Sequence, residues 1–164
     1  MKPTLEKAWG YQGDNMNLPV RDLATALPFY ETVLGFQVLS RSVTPHNSAV
    51  LTRDQVEIGL AENGGDPAQD GCAFHVKGLA DLFAEFKAGG LQKELSEFDI
   101  ENHDGVAWKV FYVVAPDGLC YWFGELAFVI LRHTRTTLRF NGATECRRSL
   151  DHRHDFGTHG LGEA

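Results

Sequence analysis

Aromatic and acidic side chains give the clearest indication of chemistry in this sequence. Trp108 and Trp122 carry aromatic faces that can stack on planar heteroaromatic rings, and the carboxylate of Glu57 can neutralise a cation in a partly desolvated cleft. Each residue also has a structural interpretation, since tryptophans often fill a core and strand glutamates often keep a sheet edge soluble. These residue types indicate an aromatic, acidic binding pocket, with core or surface packing as the alternative.

Nucleophilic and metal-ion chemistry find less support. Cys120 adjoins Tyr121 and Trp122 without a basic neighbour that would stabilise a thiolate, so we do not expect a cysteine nucleophile. Near the C-terminus the chain contains four competent metal donors: His152, His154, Asp155 and His159. No predicted element holds these donors in place, so we interpret them as fortuitous residues of a polar tail.

Composition limits the class of protein. The chain has 164 residues, of which 43% are hydrophobic and 23% charged, as in one soluble globular domain or two small half-domains that share a core. Its net charge of −7 disfavours nucleic acid and anionic membrane surfaces as partners. The N-terminus lacks the apolar segment of a secretory signal, and three widely spaced cysteines argue against a disulfide framework, so we expect a cytoplasmic protein.

The first half of the chain is predicted to have the element order βαβββ. Residues 16–20 alternate as a half-buried strand, Asp22 can cap a following helix, and Gly35 can end it. Pro28 is expected to bend that helix or to delay its start. Short strands are predicted at 36–42, 49–52 and 55–61, separated by turn-forming residues.

The second half repeats the first. Residues 20–24 (VRDLA) recur as 76–80 (VKGLA), and each predicted helix ends at a glycine. The strands of this half are predicted at 91–98, 108–114 and 119–124. The charged run 99–104 (DIENHD) is interpreted as a solvated loop and assigned no role in a site, with a loop that rims the cleft and steers cations as the alternative.

The repeat divides the chain into five segments. We expect an N-terminal extension (1–13), a first βαβββ module (14–62), a linker (63–71), a second βαβββ module (72–125) and an atypical C-terminal extension (126–164). Within that extension, 126–131 and 136–140 have strand-like character, and 146–164 is polar and glycine-rich. One module leaves a sheet face uncovered, so two modules, from one chain or from two, are expected to close a shared cup.

Two stretches carry a resemblance to a known family. Residues 17–36 (NLPVRDLATALPFYETVLGF) look like the opening strand, helix and Leu-Gly-Phe stop of the vicinal-oxygen-chelate superfamily, which includes glyoxalase I, extradiol dioxygenases and bleomycin resistance proteins. Residues 76–90, with the Pro-Asp-Gly turn at 116–118, resemble the bleomycin resistance branch. The resemblance spans residues 14–125. It implies an α+β fold in which two βαβββ modules form a cup-shaped, partly open mixed β-sheet barrel.

Metal-dependent members of the superfamily place a His or Glu ligand on each of four cup strands. The resemblance puts these positions at Asn15, Gly59, Gly71 and Trp122, none of which is a usual ligand. Glutamates and a histidine lie nearby, but a slip of one residue turns a strand side chain to the opposite face. The resemblance therefore implies a protein without a metal or other cofactor. A metal-dependent glyoxalase- or dioxygenase-type enzyme is the alternative to this non-enzymatic function.

The bleomycin resistance branch consists of dimers whose clefts sequester a drug without altering it. The resemblance implies a homodimer that binds a cationic or heteroaromatic small molecule, for example a bleomycin-type drug, and that has no nucleic-acid or membrane partner. Alternation along the cup strands turns Ala73 and Cys120 inward and lets Gly59 and Gly71 leave space. It does not determine which sheet face Trp108 and Phe111 occupy on the preceding strand. The candidate ligand-binding residues are Trp122, Trp108, Phe111, Glu57, His75, Asn15 and Asn17. No catalytic or metal-binding residue is predicted.

Overall fold

The structure is a computed structural model that describes residues 2–129 and Cys146. It is an α+β fold with two mixed sheets. Its strands are β1 (Thr4–Gly10), β2 (Leu18–Pro19), β3 (Gln37–Ser42), β4 (Ser48–Arg53), β5 (Val56–Ala61), β6 (Gly71–Lys77), β7 (Asp99–His103), β8 (Val106–Val114) and β9 (Cys120–Val129). Its helices are α1 (Leu23–Thr32) and α2 (Leu79–Ala88), and a 3-10 turn spans Pro67–Gln69.

The two sheets repeat one topology. The first sheet has the strand order β2-β5-β4-β3, and the second sheet has the order β1-β6-β9-β8-β7. The first strand of each repeat, β2 or β6, runs parallel to the last, β5 or β9, and the remaining neighbours are antiparallel. Apart from β1, the second sheet therefore matches the first strand for strand. This confirms the predicted α+β fold of two βαβββ modules, with mixed sheets that do not close into a barrel.

Helix α1 begins where the sequence predicts. Asp22 is extended (φ −141°), and its Oδ1 accepts a hydrogen bond from the Thr25 N–H at 3.0 Å, which satisfies a free donor of the first turn. Pro28 lies inside the helix and does not delay its start. The chain turns away through Gly35, whose φ of 72° favours glycine. Local signals therefore determine both ends of this helix.

The N-terminal segment forms a strand that the sequence analysis did not predict. Strand β1 pairs antiparallel with β6 at one edge of the second sheet. The Leu5 N–H donates a hydrogen bond to the Asp54 carboxylate, in the turn between β4 and β5, at 3.0 Å. Residue Trp9 pairs with Ala73, so both side chains lie on the same face of the sheet. The strand thus connects the two sheets and adds an aromatic side chain to one of them.

The strand predicted at 91–98 is wrong. That segment has no regular structure, and β7 instead occupies the charged run that was interpreted as a solvated loop. Strands β7 and β8 are joined by a two-residue hairpin turn at Asp104 and Gly105, with φ values of 52° and 80°. Asp-Gly is a typical sequence for such a turn. Pairing with β8 outweighs the low strand propensity of the aspartate and asparagine in β7.

Buried and partly buried polar contacts join the two modules. The hydroxyl oxygen of Tyr30, in α1, lies 2.6 Å from that of Tyr121, in β9, and donates a hydrogen bond to the Asp117 carboxylate at 2.9 Å. Burial raises the pKa of both tyrosines and of Asp117, although the hydrogen bonds that Asp117 accepts partly lower its pKa. Arg53, at the end of β4, pairs through Nη2 with Glu85 of α2 at 2.7 Å. These contacts fix the modules to each other.

The argument against a disulfide is wrong for one pair of cysteines. Cys120 and Cys146 are joined by a disulfide, and their Cα atoms lie 6.6 Å apart. Tertiary proximity decides this pairing, which neither the number nor the spacing of the cysteines reveals. Cys72 carries a free, buried thiol, and burial raises its pKa.

Most predictions for the C-terminal segment concern residues that the structure does not describe. Strand β9 continues to Val129 and so includes the beginning of the strand-like run 126–131. The run 136–140 and the four tail donors, His152, His154, Asp155 and His159, lie outside the described residues. Within the described part of the chain, no helix is long and apolar enough to cross a membrane.

Candidate ligand-binding site

A cavity of about 200 Å³ lies on one face of the second sheet. Its described lining residues, here called the tryptophan pocket, are Trp9, Gly10, Tyr11, Gly13, Ala73, His103, Trp108 and Trp122. They include all three tryptophans of the chain. Strand alternation explains this arrangement, because Phe111 and Phe123 face α2 on the other side of the sheet and leave Trp122 and Trp108 on the pocket side.

The aromatic rings of the pocket meet at steep angles. The Trp108 and Trp122 rings are 5.5 Å apart between centroids, with planes inclined by 65°. The His103 ring lies 6.1 Å from that of Trp122 at 80°. Trp122 and Trp108 are only 3% and 5% exposed. Close packing therefore holds the pocket walls in position before any ligand binds.

Glu101 of β7 lies behind the pocket wall and contacts three side chains. Its Oε1 accepts a hydrogen bond from the Tyr112 hydroxyl at 2.6 Å, and its Oε2 accepts one from Trp122 Nε1 at 3.0 Å. The same Oε2 lies 2.8 Å from His103 Nε2. Hydrogen bonds to a carboxylate are stronger than bonds between neutral groups. Glu101 therefore orients two of the lining rings and places a negative charge directly behind them.

Trp108 is positioned without a hydrogen bond. Its Nε1 is buried and has no hydrogen-bond partner among residues 2–129 and Cys146. The His75 ring packs edge-on against this indole at 5.1 Å. Burial lowers the pKa of His75, and the nearby Glu6 carboxylate partly opposes this effect. A buried donor without an acceptor costs about 1–3 kcal/mol, so packing must hold Trp108 in place at some cost in stability.

Only some of the predicted site residues come together in this pocket. Trp108 and Trp122 line it, and His75 lies on the same face of the sheet, in contact with Trp108. Phe111 lies on the opposite face, where it is 1% exposed and stacks on Phe123 at 5.2 Å. The sequence analysis did not determine which sheet face Phe111 occupies. The register of β8 places it on the face opposite the pocket.

The other three predicted site residues lie away from the tryptophan pocket. The Asn15 amide donates a hydrogen bond to the Glu57 carbonyl at 2.8 Å, and both residues line an open depression beside β5. Asn17 lines another depression, where its carbonyl and side-chain oxygens accept hydrogen bonds from Asn63. These residues belong to the first module, and the two sheets of one chain present separate depressions.

The four positions that carry metal ligands in metal-dependent relatives do not fit a metal ion here. Asn15 offers only a neutral amide, whose nitrogen donates a hydrogen bond to the Glu57 carbonyl, and Trp122 offers an N–H donor that cannot coordinate a cation. Among the described residues, no group of three or more His, Cys, Asp or Glu side chains is arranged to hold a metal. The donor set at these positions therefore does not support metal chemistry.

The space expected at the two glycines among these positions is filled. A Cβ at Gly59 would overlap the backbone carbonyl of Met16, and a Cβ at Gly71 would overlap that of Cys120. The Gly59 N–H also donates a hydrogen bond to the Asn15 carbonyl at 2.9 Å. The glycines permit close approach of backbone segments and do not widen a cup.

Five residues of the site escaped the sequence analysis: Trp9, Tyr11, Glu101, His103 and Tyr112. The Asp104-Gly105 hairpin signal before the strand of Trp108 could have revealed β7. Alternation along β7 would then have placed Glu101 and His103 on one face of the sheet. No local signal indicated that Trp9 pairs with a strand of the second module.

Two βαβββ modules with mixed sheets define the fold, and an aromatic cavity lies on one sheet face of the second module. Residues 14–119 match the family model of the Glyoxalase/Bleomycin resistance protein/Dioxygenase superfamily, and the chain belongs to this superfamily. This confirms the resemblance seen in the sequence. No curated protein matches the chain.

Solved structures show the same fold. An integron cassette protein from the mobile metagenome of V. pseudocholerae has a TM-score of 0.56 and 21% identity over 70% of this chain and 94% of its own. A virulence protein from Salmonella typhimurium has a TM-score of 0.53 and 22% identity over 70% and 95%. The bleomycin resistance determinant encoded on the transposon Tn5 has a TM-score of 0.51 and 25% identity over 69% and 96%.

Proposed function

We propose that this protein binds and sequesters a cationic or heteroaromatic small molecule in the tryptophan pocket, without a metal ion and without altering the ligand. The observation that carries the proposal is the convergence of Trp9, Trp108 and Trp122 on one cavity. Aromatic faces favour planar rings and cations. The similarity to the Tn5-encoded bleomycin resistance determinant supports a sequestering role.

The size of the cavity limits what can enter it. Pockets for drug-sized ligands measure about 300–1,000 Å³, whereas an engineered cavity of about 150 Å³ holds a single benzene ring. The tryptophan pocket, at about 200 Å³, lies nearer to the smaller figure. It therefore accepts one ring system or one head group, and the rest of a larger ligand lies outside the cavity.

A fluorescence titration tests this proposal directly. Because every tryptophan of the chain lines the pocket, intrinsic emission reports on the site itself. We expect N-methylquinolinium, a planar heteroaromatic cation, to quench the emission of chelator-treated protein and to saturate at about one probe per chain. Absence of saturable quenching would contradict binding of a heteroaromatic ligand, and quenching that appears only after a divalent metal ion is added would contradict metal-independent binding.

Adjacent residues on opposite sheet faces provide a matched pair of variants. Trp122→Phe removes part of the pocket wall, so we expect about tenfold weaker binding by calorimetry. Tyr121→Phe removes a hydroxyl from the core on the other face, so it should lower stability and leave affinity unchanged. Equal losses of affinity in both variants would show that general destabilisation, and not the pocket, controls binding.

The proposal includes a homodimer. The resemblance to the bleomycin resistance branch, whose members are dimers, is what supports this element of the proposal. Light scattering during size-exclusion chromatography measures the mass of the particle. A mass of one chain at micromolar concentration would remove this element of the proposal and leave ligand binding to be judged separately.

A further inference from the structure

We propose that the tryptophan pocket is an aromatic cage for a substituted ammonium group, such as the trimethylammonium head of choline. This inference rests on the proposed function, since it requires the pocket to bind a small molecule, and it specifies the chemical class of that ligand. Three properties of the pocket carry it: the angles between its rings, the charge of its surroundings and its volume.

Ring geometry favours a compact cation over a stacked plane. A flat ligand can stack on one ring, but only parallel walls can sandwich it, and the Trp108 and Trp122 planes are inclined by 65°, with the His103 ring at 80° to that of Trp122. Trp9 and Tyr11 add two more aromatic side chains to the lining. Inclined rings can surround a roughly spherical group with several electron-rich surfaces. This is how aromatic cages recognise quaternary ammonium ions.

The charge of the surroundings favours a cation over a neutral group. No lysine or arginine occurs among the described lining residues. Glu101 places its carboxylate 3.0 Å from Trp122 Nε1, and this hydrogen bond increases the electron density of the indole ring. Lys7 lies two residues before Trp9 on β1, where it pairs with His75. The described residues around the pocket therefore contribute aromatic faces and the Glu101 carboxylate, whose Oε2 also lies 2.8 Å from His103 Nε2.

The volume of the pocket agrees with this class of ligand. A cavity of about 200 Å³ is slightly larger than one that holds a benzene ring, and a trimethylammonium group has a similar size. Such a group carries no N–H donors, so it loses little hydrogen bonding when it leaves water. The buried walls can therefore surround it without supplying acceptors.

Choline and its neutral isostere, 3,3-dimethylbutan-1-ol, test the inference because they share one shape and differ in charge. Each is titrated into the wild-type protein while tryptophan emission is followed. We expect choline to bind about tenfold more tightly than the alcohol, which corresponds to a desolvated cation–aromatic contact. Equal affinities would overturn the inference, because shape alone would then explain binding.

Two charge-removing variants locate the effect. Glu101→Gln keeps the side-chain size and removes the carboxylate behind Trp122, so we expect choline binding to weaken at least threefold. The affinity for the alcohol should stay the same, which checks that the pocket is intact. Glu31→Gln makes the same charge change on the exposed surface of α1 and should alter neither affinity. Equal effects of the two variants on choline would overturn the role assigned to Glu101.

The outcomes separate this inference from the proposed function. If N-methylquinolinium saturates the pocket and choline does not bind, the ammonium cage is refuted and ligand sequestration stands. If neither compound quenches the tryptophan emission, both proposals fail. Preferential binding of choline with a selective loss in Glu101→Gln supports both.

Discussion

The hydrogen bond between Tyr112 and Glu101 permits a quantitative test of how the pocket wall is built. Tyr112 is 5% exposed, and its hydroxyl lies 2.6 Å from Glu101 Oε1. A hydrogen bond to a charged group contributes about 1.5–3 kcal/mol to stability when both partners are buried. The Glu101 side chain is 22% exposed, so water competes for the carboxylate. We therefore expect Tyr112→Phe to lower the free energy of unfolding by about 1–2 kcal/mol.

A double-mutant cycle isolates this interaction from other effects of the substitution. In Glu101→Ala the carboxylate is absent, so a further Tyr112→Phe change should cost about 1–2 kcal/mol less than it does in the wild type. The coupling energy should then be about 1–2 kcal/mol. Urea unfolding followed by far-ultraviolet circular dichroism measures it, and the midpoint should shift by about 0.5–1 M between wild type and Tyr112→Phe.

Tyr30 supplies the control for this cycle. Its hydroxyl contacts Tyr121 and Asp117 on the other face of the second sheet. Tyr30→Phe and Glu101→Ala should therefore act additively, within about 0.5 kcal/mol. If Tyr112→Phe costs the same with and without the Glu101 carboxylate, the carboxylate does not hold the pocket wall and the reasoning is refuted.

Two further predictions concern pH and the position of Trp122. Burial raises the pKa of Asp117 in the folded protein, so its contribution to stability is present while it is protonated and is lost as the pH rises above about 4. Thermal melts from pH 4 to 7 should therefore show wild type losing stability relative to Asp117→Asn, and a constant difference would contradict this explanation. Gly124→Ala would drive a Cβ into the Trp122 ring, so it should weaken N-methylquinolinium binding about tenfold in calorimetry and lower the melting temperature; unchanged affinity would show that the ring shift does not reach the pocket.

Sequence patterns with local causes predicted much of the fold. The Asp22 cap depends on residues within one turn of α1, and the recurrence of VRDLA as VKGLA reflects the repeated strand-helix unit. The family resemblance placed Trp122 at a cup position and made Trp108, on the preceding strand, a further candidate ligand contact; both line the pocket. Strand periodicity and helix caps can be predicted from the sequence because they depend only on residues that are close together along the chain.

Long-range pairing decided what the sequence alone did not. Trp9 reaches the pocket because β1 pairs with β6, more than sixty residues away along the chain. Glu101 becomes an acceptor for three side chains because β7 pairs with β8, although its own segment has the composition of a loop. The face of Phe111 also follows from register. Such pairings depend on the packing of whole sheets, so the residue types at a site can be predicted from sequence, whereas their convergence is determined by the tertiary structure.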